Sequence, residues 1–200
     1  LGLATFYDIA NKAIGAIDRV SLWTGNLVAP FLLIMMFLTC AVVVSRYLFN
    51  VGAIQIQESV MYLHGATLLL GIAYTLKLGG HVRVDILYQR FGPRYRAIVD
   101  VMGTLLFLFP LAAFILWTSY DYVAFSWSLT ESSAEAGGLG GVYLLKTLIP
   151  ITAIFIFLQG TSELLKNLCI LLYPTGAQPQ RATDGQLNDP VDPTPGATNG

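Results

Sequence analysis

Four long apolar stretches, Val20–Ser45, Ser59–Leu76, Val101–Tyr120 and Thr147–Ser162, alternate with short polar segments along the chain. A hydrocarbon core of about 30 Å needs roughly 20 residues of helix, and lipid tolerates only helices or closed barrels because no water satisfies the backbone there. The runs are too long and too uniformly apolar for barrel strands. The pattern therefore predicts an all-α integral membrane protein with four transmembrane helices. Ahead of the first span, Leu3, Phe6, Tyr7, Ala10, Ile14 and Ile17 recur at three- and four-residue spacing, with Asp8, Asn11, Lys12 and Asp18 on the other side. That periodicity predicts an N-terminal amphipathic helix over 1–19, either lying in the headgroup plane or extending the first span into water. The transmembrane domain is expected over 20–172.

The connections carry their own signals. Gly79-Gly80 supplies a helix C-cap, and Gly92-Pro93 stops one helix and opens the next. Between them, Val84, Leu87, Tyr88 and Phe91 form an apolar face that predicts a short interfacial helix. The connection around Glu131 holds Gly137, Gly138, Gly140 and Gly141 and little apolar bulk, so it is expected to be a flexible loop ordered from outside the chain. From Pro174 onward, 27 residues hold five prolines and few large aliphatics, so 173–200 is expected to be a disordered tail.

Composition narrows the functional classes. Hydrophobic residues make up 55% of the chain and charged residues 12%, and the net charge of −1 leaves no basic surface for nucleic acid. Cys40 and Cys169 fall toward opposite faces of a four-helix arrangement, so no disulfide is expected between them. The first span is too long for a signal peptide and reads as a retained helix. Of the eleven basic residues, nine (Lys12, Arg19, Lys77, Arg83, Arg90, Arg94, Arg96, Lys166, Arg181) fall on the side of both termini and two (Arg46, Lys146) on the other. Basic residues are retained on the cytoplasmic side, so both termini are expected there.

Polar residues near and within the spans are the candidate site. Glu58 opens the second span and reads either as a structural anchor or as an ion-pair partner of Arg46 or of another subunit. His64 lies about 9 Å deeper, on a face with Gln57, Thr67, Gly71 and Thr75. Such a stripe serves helix packing or, on the sharper reading, an ion or proton path. On the fourth span, Thr152, Gln159 and Glu163 share a face, with Lys166 one turn beyond Glu163. Trp117, Tyr120, Tyr122, Trp127 and Tyr143 form an interfacial aromatic belt. His64 and His81 are about 25 Å apart along the helix axis, which excludes a bis-histidine haem. Metal, redox and nucleotide motifs are missing, so neither an enzyme nor a bound cofactor is expected. The four spans share no polar positions, and the inverted repeat of a self-sufficient transporter is not seen.

The ordered set Arg46-Tyr47, Glu58, Gly71-Ile72-Ala73-Tyr74-Thr75-Leu76-Lys77, Gly79-Gly80-His81-Val82-Arg83-Val84-Asp85, Tyr143 through Pro150, and Gln159-Gly160 resembles the small membrane subunit (DctQ family) of tripartite ATP-independent periplasmic (TRAP) transporters. The resemblance covers roughly residues 20–170. It implies a non-catalytic subunit in the bacterial inner membrane, partnered by a large translocating subunit and a periplasmic solute-binding protein. It also implies organic-acid uptake driven by a sodium gradient that the large subunit uses. On this reading Arg46, Glu58, His64, Lys77, His81, Arg83, Asp85, Lys146 and Gln159 are interface and packing groups. The alternatives are a self-assembling channel or carrier, with His64, Thr67 and Thr75 lining its pore, and a four-span scaffold for an unrelated complex.

Overall fold

The computed structural model describes residues 3–50, 52, 54–79 and 92–172. Three candidate site residues, His81, Arg83 and Asp85, lie outside the described residues, as do the expected interfacial helix at Val84–Phe91 and the tail from 173 onward. Among the described residues the chain is helical, without strands, and four of its helices are long and apolar enough to cross a membrane.

The first helix, α1 (Leu3–Phe49), runs 47 residues without a break. At 1.5 Å per residue it is about 70 Å long, more than twice the hydrocarbon core. The amphipathic segment and the first apolar span are thus one continuous rod, since no glycine pair or capping sequence separates Ile17 from Leu22. It stops at Asn50, whose φ of 51° is left-handed, a conformation asparagine tolerates better than most side chains. Helix α2 (Ile54–Lys77) ends as the glycines predict. Gly79 takes φ 66° and its N–H bonds the Leu76 carbonyl at 3.1 Å.

Helix α3 (Pro93–Gly103) opens on Pro93, as expected, and passes through a wide π-helical turn at Thr104–Leu108 into α4 (Phe109–Ser128). The turn has a local cause. Pro110 lacks an N–H and its ring crowds the carbonyl four residues back, at Leu106, so the widened turn gives that carbonyl room. In it the Phe109 N–H reaches the Thr104 carbonyl. The last helix, α5 (Val142–Leu172), is the hub and packs against each of the other helices. Helix α2 packs against α1 and α5.

Small residues set the close approaches. A Cβ on Gly160 would lie 2.5 Å from the Leu108 side chain, so α5 meets the π turn there at minimal distance. Phe109 stacks on Phe157 beside it, with ring centroids 4.5 Å apart. Gly25 of α1 takes the Tyr74 ring of α2, and Gly65 of α2 takes Leu145 of α5. Outward positions are apolar, including Leu33, Phe37, Phe107, Phe114 and Trp117. That is the inverse of a soluble domain and is what a lipid-facing surface requires.

Candidate functional site

Polar side chains gather at the two ends of the helices. One end carries the 129–141 connection between α4 and α5. The other is where α1 begins and α5 finishes.

At the loop end, Glu58 is the organising acceptor. One of its oxygens accepts the Ser133 hydroxyl and the other accepts the Leu139 N–H at 2.6 Å. The Ser133 N–H bonds the Leu139 carbonyl at 3.0 Å, closing the loop on itself. Gly138 permits this close approach, because a Cβ would lie 2.6 Å from the Ser133 Cβ and 2.7 Å from Glu58 Oε1 and one of them would have to shift. Glu131 accepts the Ser126 hydroxyl at 2.6 Å and pairs with the Lys146 ammonium. That ammonium also sits 4.1 Å from the centre of the Tyr122 ring. The Lys146 hydrogen bond, followed by that from Ser126, holds the Glu131 carboxyl below the usual carboxylate range. Trp127 donates its indole N–H to Thr147 at 2.8 Å and meets Tyr143 edge-on.

Two expectations change as a result. The glycine-rich connection is tied down by its own chain, not left to an outside partner, because a carboxylate from α2 lies within reach. Glu58 takes the anchoring role and does not pair with Arg46, which is exposed and without an ion pair among the described residues.

At the other end, Gln159 has no exposed surface. Its Oε1 accepts the Ser21 hydroxyl at 2.6 Å, and its Nε2 donates to Asp18 at 3.2 Å and Glu163 at 3.5 Å. Asp18 also accepts the Ser162 hydroxyl at 2.8 Å. Lys166 closes the network, 2.9 Å from Asp18 Oδ2 and 2.9 Å from Glu163 Oε1. Two carboxylates thus share one ammonium, and five side chains tie α1 to α5 around the buried amide. Next to them, an apolar cavity of about 220 Å³ lies between Ile17, Val20, Thr24, Phe155 and Leu158.

Asp18 is the participant that periodicity misplaces. Its spacing puts it on the water-facing side of an amphipathic helix, yet α1 crosses α5 at that level and turns it inward. A local signal exists in retrospect: Asp18, Ser21 and Thr24 continue a polar stripe into the first apolar span, and Ser21 and Thr24 are both buried.

The remaining candidates stand apart from both clusters. His64 is exposed on α2 with no partner among the described residues. Thr67 and Thr75 give their hydroxyls to carbonyls of their own helix, at Leu63 and Gly71. Lys77 ends α2 without an ion pair among the described residues. Cys40 and Cys169 are both free thiols. Among the described residues no three His, Cys, Asp or Glu side chains converge as metal ligands would.

These arrangements hold helices and a loop together. No curated protein and no solved structure matches the chain. The model of one family, described as tripartite ATP-independent periplasmic transporters, DctQ component, matches residues 35–170. That match takes in α2, α3, α4, the loop anchored by Glu58 and nearly all of α5. With four apolar helices and a match over more than half its length, the chain belongs to the DctQ family, the small membrane component of TRAP transporters.

Proposed function

We propose that this protein is the non-catalytic small subunit of a sodium-coupled importer of organic acids, and that it stabilises the large translocating subunit in the bacterial inner membrane. A periplasmic binding protein delivers the solute, and the large subunit uses the sodium gradient. Both termini face the cytoplasm, which leaves the loop held by Glu58 on the periplasmic side, where it widens the surface available to the binding protein.

The observation that carries this reading is the use made of the polar groups within the helices. Gln159, a fully buried amide, spends its hydrogen bonds on Ser21, Asp18 and Glu163. Thr152 bonds the Leu69 carbonyl of α2 at 3.1 Å as well as its own helix. Groups committed to helix contacts do not offer a hydrated path to an anion, whereas they do make a rigid wall for another protein.

Reconstitution tests the proposal. Liposomes holding the large subunit and this chain, given the binding protein and an inward sodium gradient, should accumulate an organic acid. Liposomes holding this chain alone should pass neither solute nor ion. Flux through the chain alone would replace the proposal with the channel reading, and sodium-independent uptake by the full system would remove the coupling.

A further inference from the structure

The outward faces of α2 and α4 differ in chemistry. On α4 and the turn before it, the exposed large side chains are Leu105, Leu106, Phe107, Leu111, Phe114 and Trp117, and the exposed Thr118 hydroxyl is donated to the Phe114 carbonyl at 2.8 Å. Lipid chains satisfy such a surface. On α2 the exposed positions Gln57, Met61, His64 and Leu68 follow one another at four, three and four residues, which is a single helix face. His64 stands about 15 Å from the Ile54 end and about 20 Å from the Lys77 end, close to the middle of a hydrocarbon core about 30 Å thick. Its imidazole has no partner among the described residues. A polar ring at that depth is out of reach of water, and acyl chains offer it nothing. The same face continues to Gly71, where an added Cβ would meet nothing within 4 Å, unlike Gly25, Gly65 and Gly160.

We infer that the Gln57–Gly71 face of α2 seats one membrane-embedded helix of the large subunit, which offers a hydroxyl, amide or carboxyl group to His64 at mid-depth and approaches closely at Gly71. The inference rests on the reading of the chain as a small transporter subunit. A second copy fits less well. A two-fold axis along the membrane normal would set His64 against its own equivalent, and two imidazoles related by that axis cannot be donor and acceptor to each other while staying equivalent.

Photoreactive side chains at positions 61 and 68, and in a second set at 114 and 117, test the inference in membranes containing the complete transporter. Crosslinks to the large subunit from 61 and 68, with none from 114 and 117, are the expected result. Gly71→Leu should leave the chain's own helices intact, since the space is open, yet reduce recovery of the large subunit severalfold. His64→Leu should weaken association by about three- to twentyfold, the range of one interhelical hydrogen bond in lipid. Crosslinks to the large subunit only from 114 and 117, or from 61 and 68 only to a second copy or to lipid, would overturn the inference while leaving the proposed function standing. Failure of the unaltered chain to co-purify with any large subunit would remove the proposed function itself.

Discussion

The two ends of the molecule each place lysine against carboxylate, but the pairs work in different surroundings. At the loop end, Lys146 and Glu131 are 15 residues apart, and the pair fastens the start of α5 to the segment that leaves α4. At the terminal end, Lys166 and Asp18 are 148 residues apart, and the ammonium also serves Glu163 beside a wholly enclosed amide. The first arrangement fastens a loop to the helix that follows it, and with 16% and 34% of the Lys146 and Glu131 side chains exposed, competing hydration limits its worth. The second sets the register of α1 against α5. There each group depends on the others, because one ammonium serves both carboxylates and its loss strands the two together. The same two residue types therefore do local work at one end and global work at the other.

The largest effect should follow from Lys166→Met, which leaves Asp18 and Glu163 without their shared cation. Removing one partner of a buried pair costs about 3–5 kcal/mol. The side chains of Lys166 and Asp18 keep 26% and 20% of their surface exposed, so about 2–3 kcal/mol is the better expectation. The unfolding midpoint in lipid-detergent micelles should drop accordingly. The double variant Asp18→Asn with Lys166→Met should recover part of the loss, and a double variant as unstable as the sum of the two singles would show that the pair is not coupled.

Next in size is Gln159→Leu. The replacement fills a similar volume, but it deprives Ser21 of an acceptor and Asp18 of a donor. The cost should be about 1–2 kcal/mol, read from the same midpoint. Because the amide bridges α1 and α5, amide exchange should rise on both helices around Ser21 and Ser162 and stay unchanged at Ser133 and Leu139. Faster exchange at the loop end would mean that the two clusters are one cooperative unit, and the contrast between them would then fail.

Residue patterns predict one end of the molecule better than the other, for physical reasons. The four spans, the close of α2 at Gly79 and the start of α3 at Pro93 follow from apolar run length and backbone preference, which are local properties. Gln159, Glu163 and Lys166 share a face by helical spacing alone, so half of the terminal network is visible on a wheel. Asp18 is not, because its inward position depends on where a helix of 47 residues crosses another far away in the chain. The loop is harder still. Its glycines advertise freedom, whereas its order comes from a carboxylate 75 residues earlier at Glu58. Pro110 hints at an irregularity in the third span, but the turn it needs forms at Thr104–Leu108, ahead of the proline itself.

Gly138→Ala probes the loop end alone. The added methyl would stand 2.7 Å from Glu58 Oε1, so either the Ser133 turn or the carboxylate must shift. The global midpoint should barely move. Exchange at the Leu139 amide and proteolytic nicking within 129–141 should both increase several-fold. A large loss of global stability would show that the Glu58 anchor supports the helices as well as the loop.

The smallest effect, and the one that separates the ends most cleanly, is the response of the loop to acid. Glu131 titrates below its ordinary value of 4.5 because Lys146 and Ser126 bond its charged form. A carboxyl whose value is lowered in the ordered state contributes fully above the value it has when released. That contribution fades as pH falls through the lowered one. The Glu131 tie should therefore be intact at neutral pH and down to about pH 4.5, and weaken only below it. Trp127 lies beside this tie, bonded to Thr147 and against Tyr143, and its emission reports on it. Trp23 and Trp117 are exposed, so both can be replaced by phenylalanine to leave Trp127 as the sole reporter. In that background, emission should change below pH 4.5 with no parallel change in helix content. Glu131→Gln should flatten the response, because the amide has no charge for Lys146 to hold. An acid transition that persists unaltered in Glu131→Gln would assign it to Glu58 instead, and the pairing of Lys146 with Glu131 would no longer be what fastens α5 to the loop.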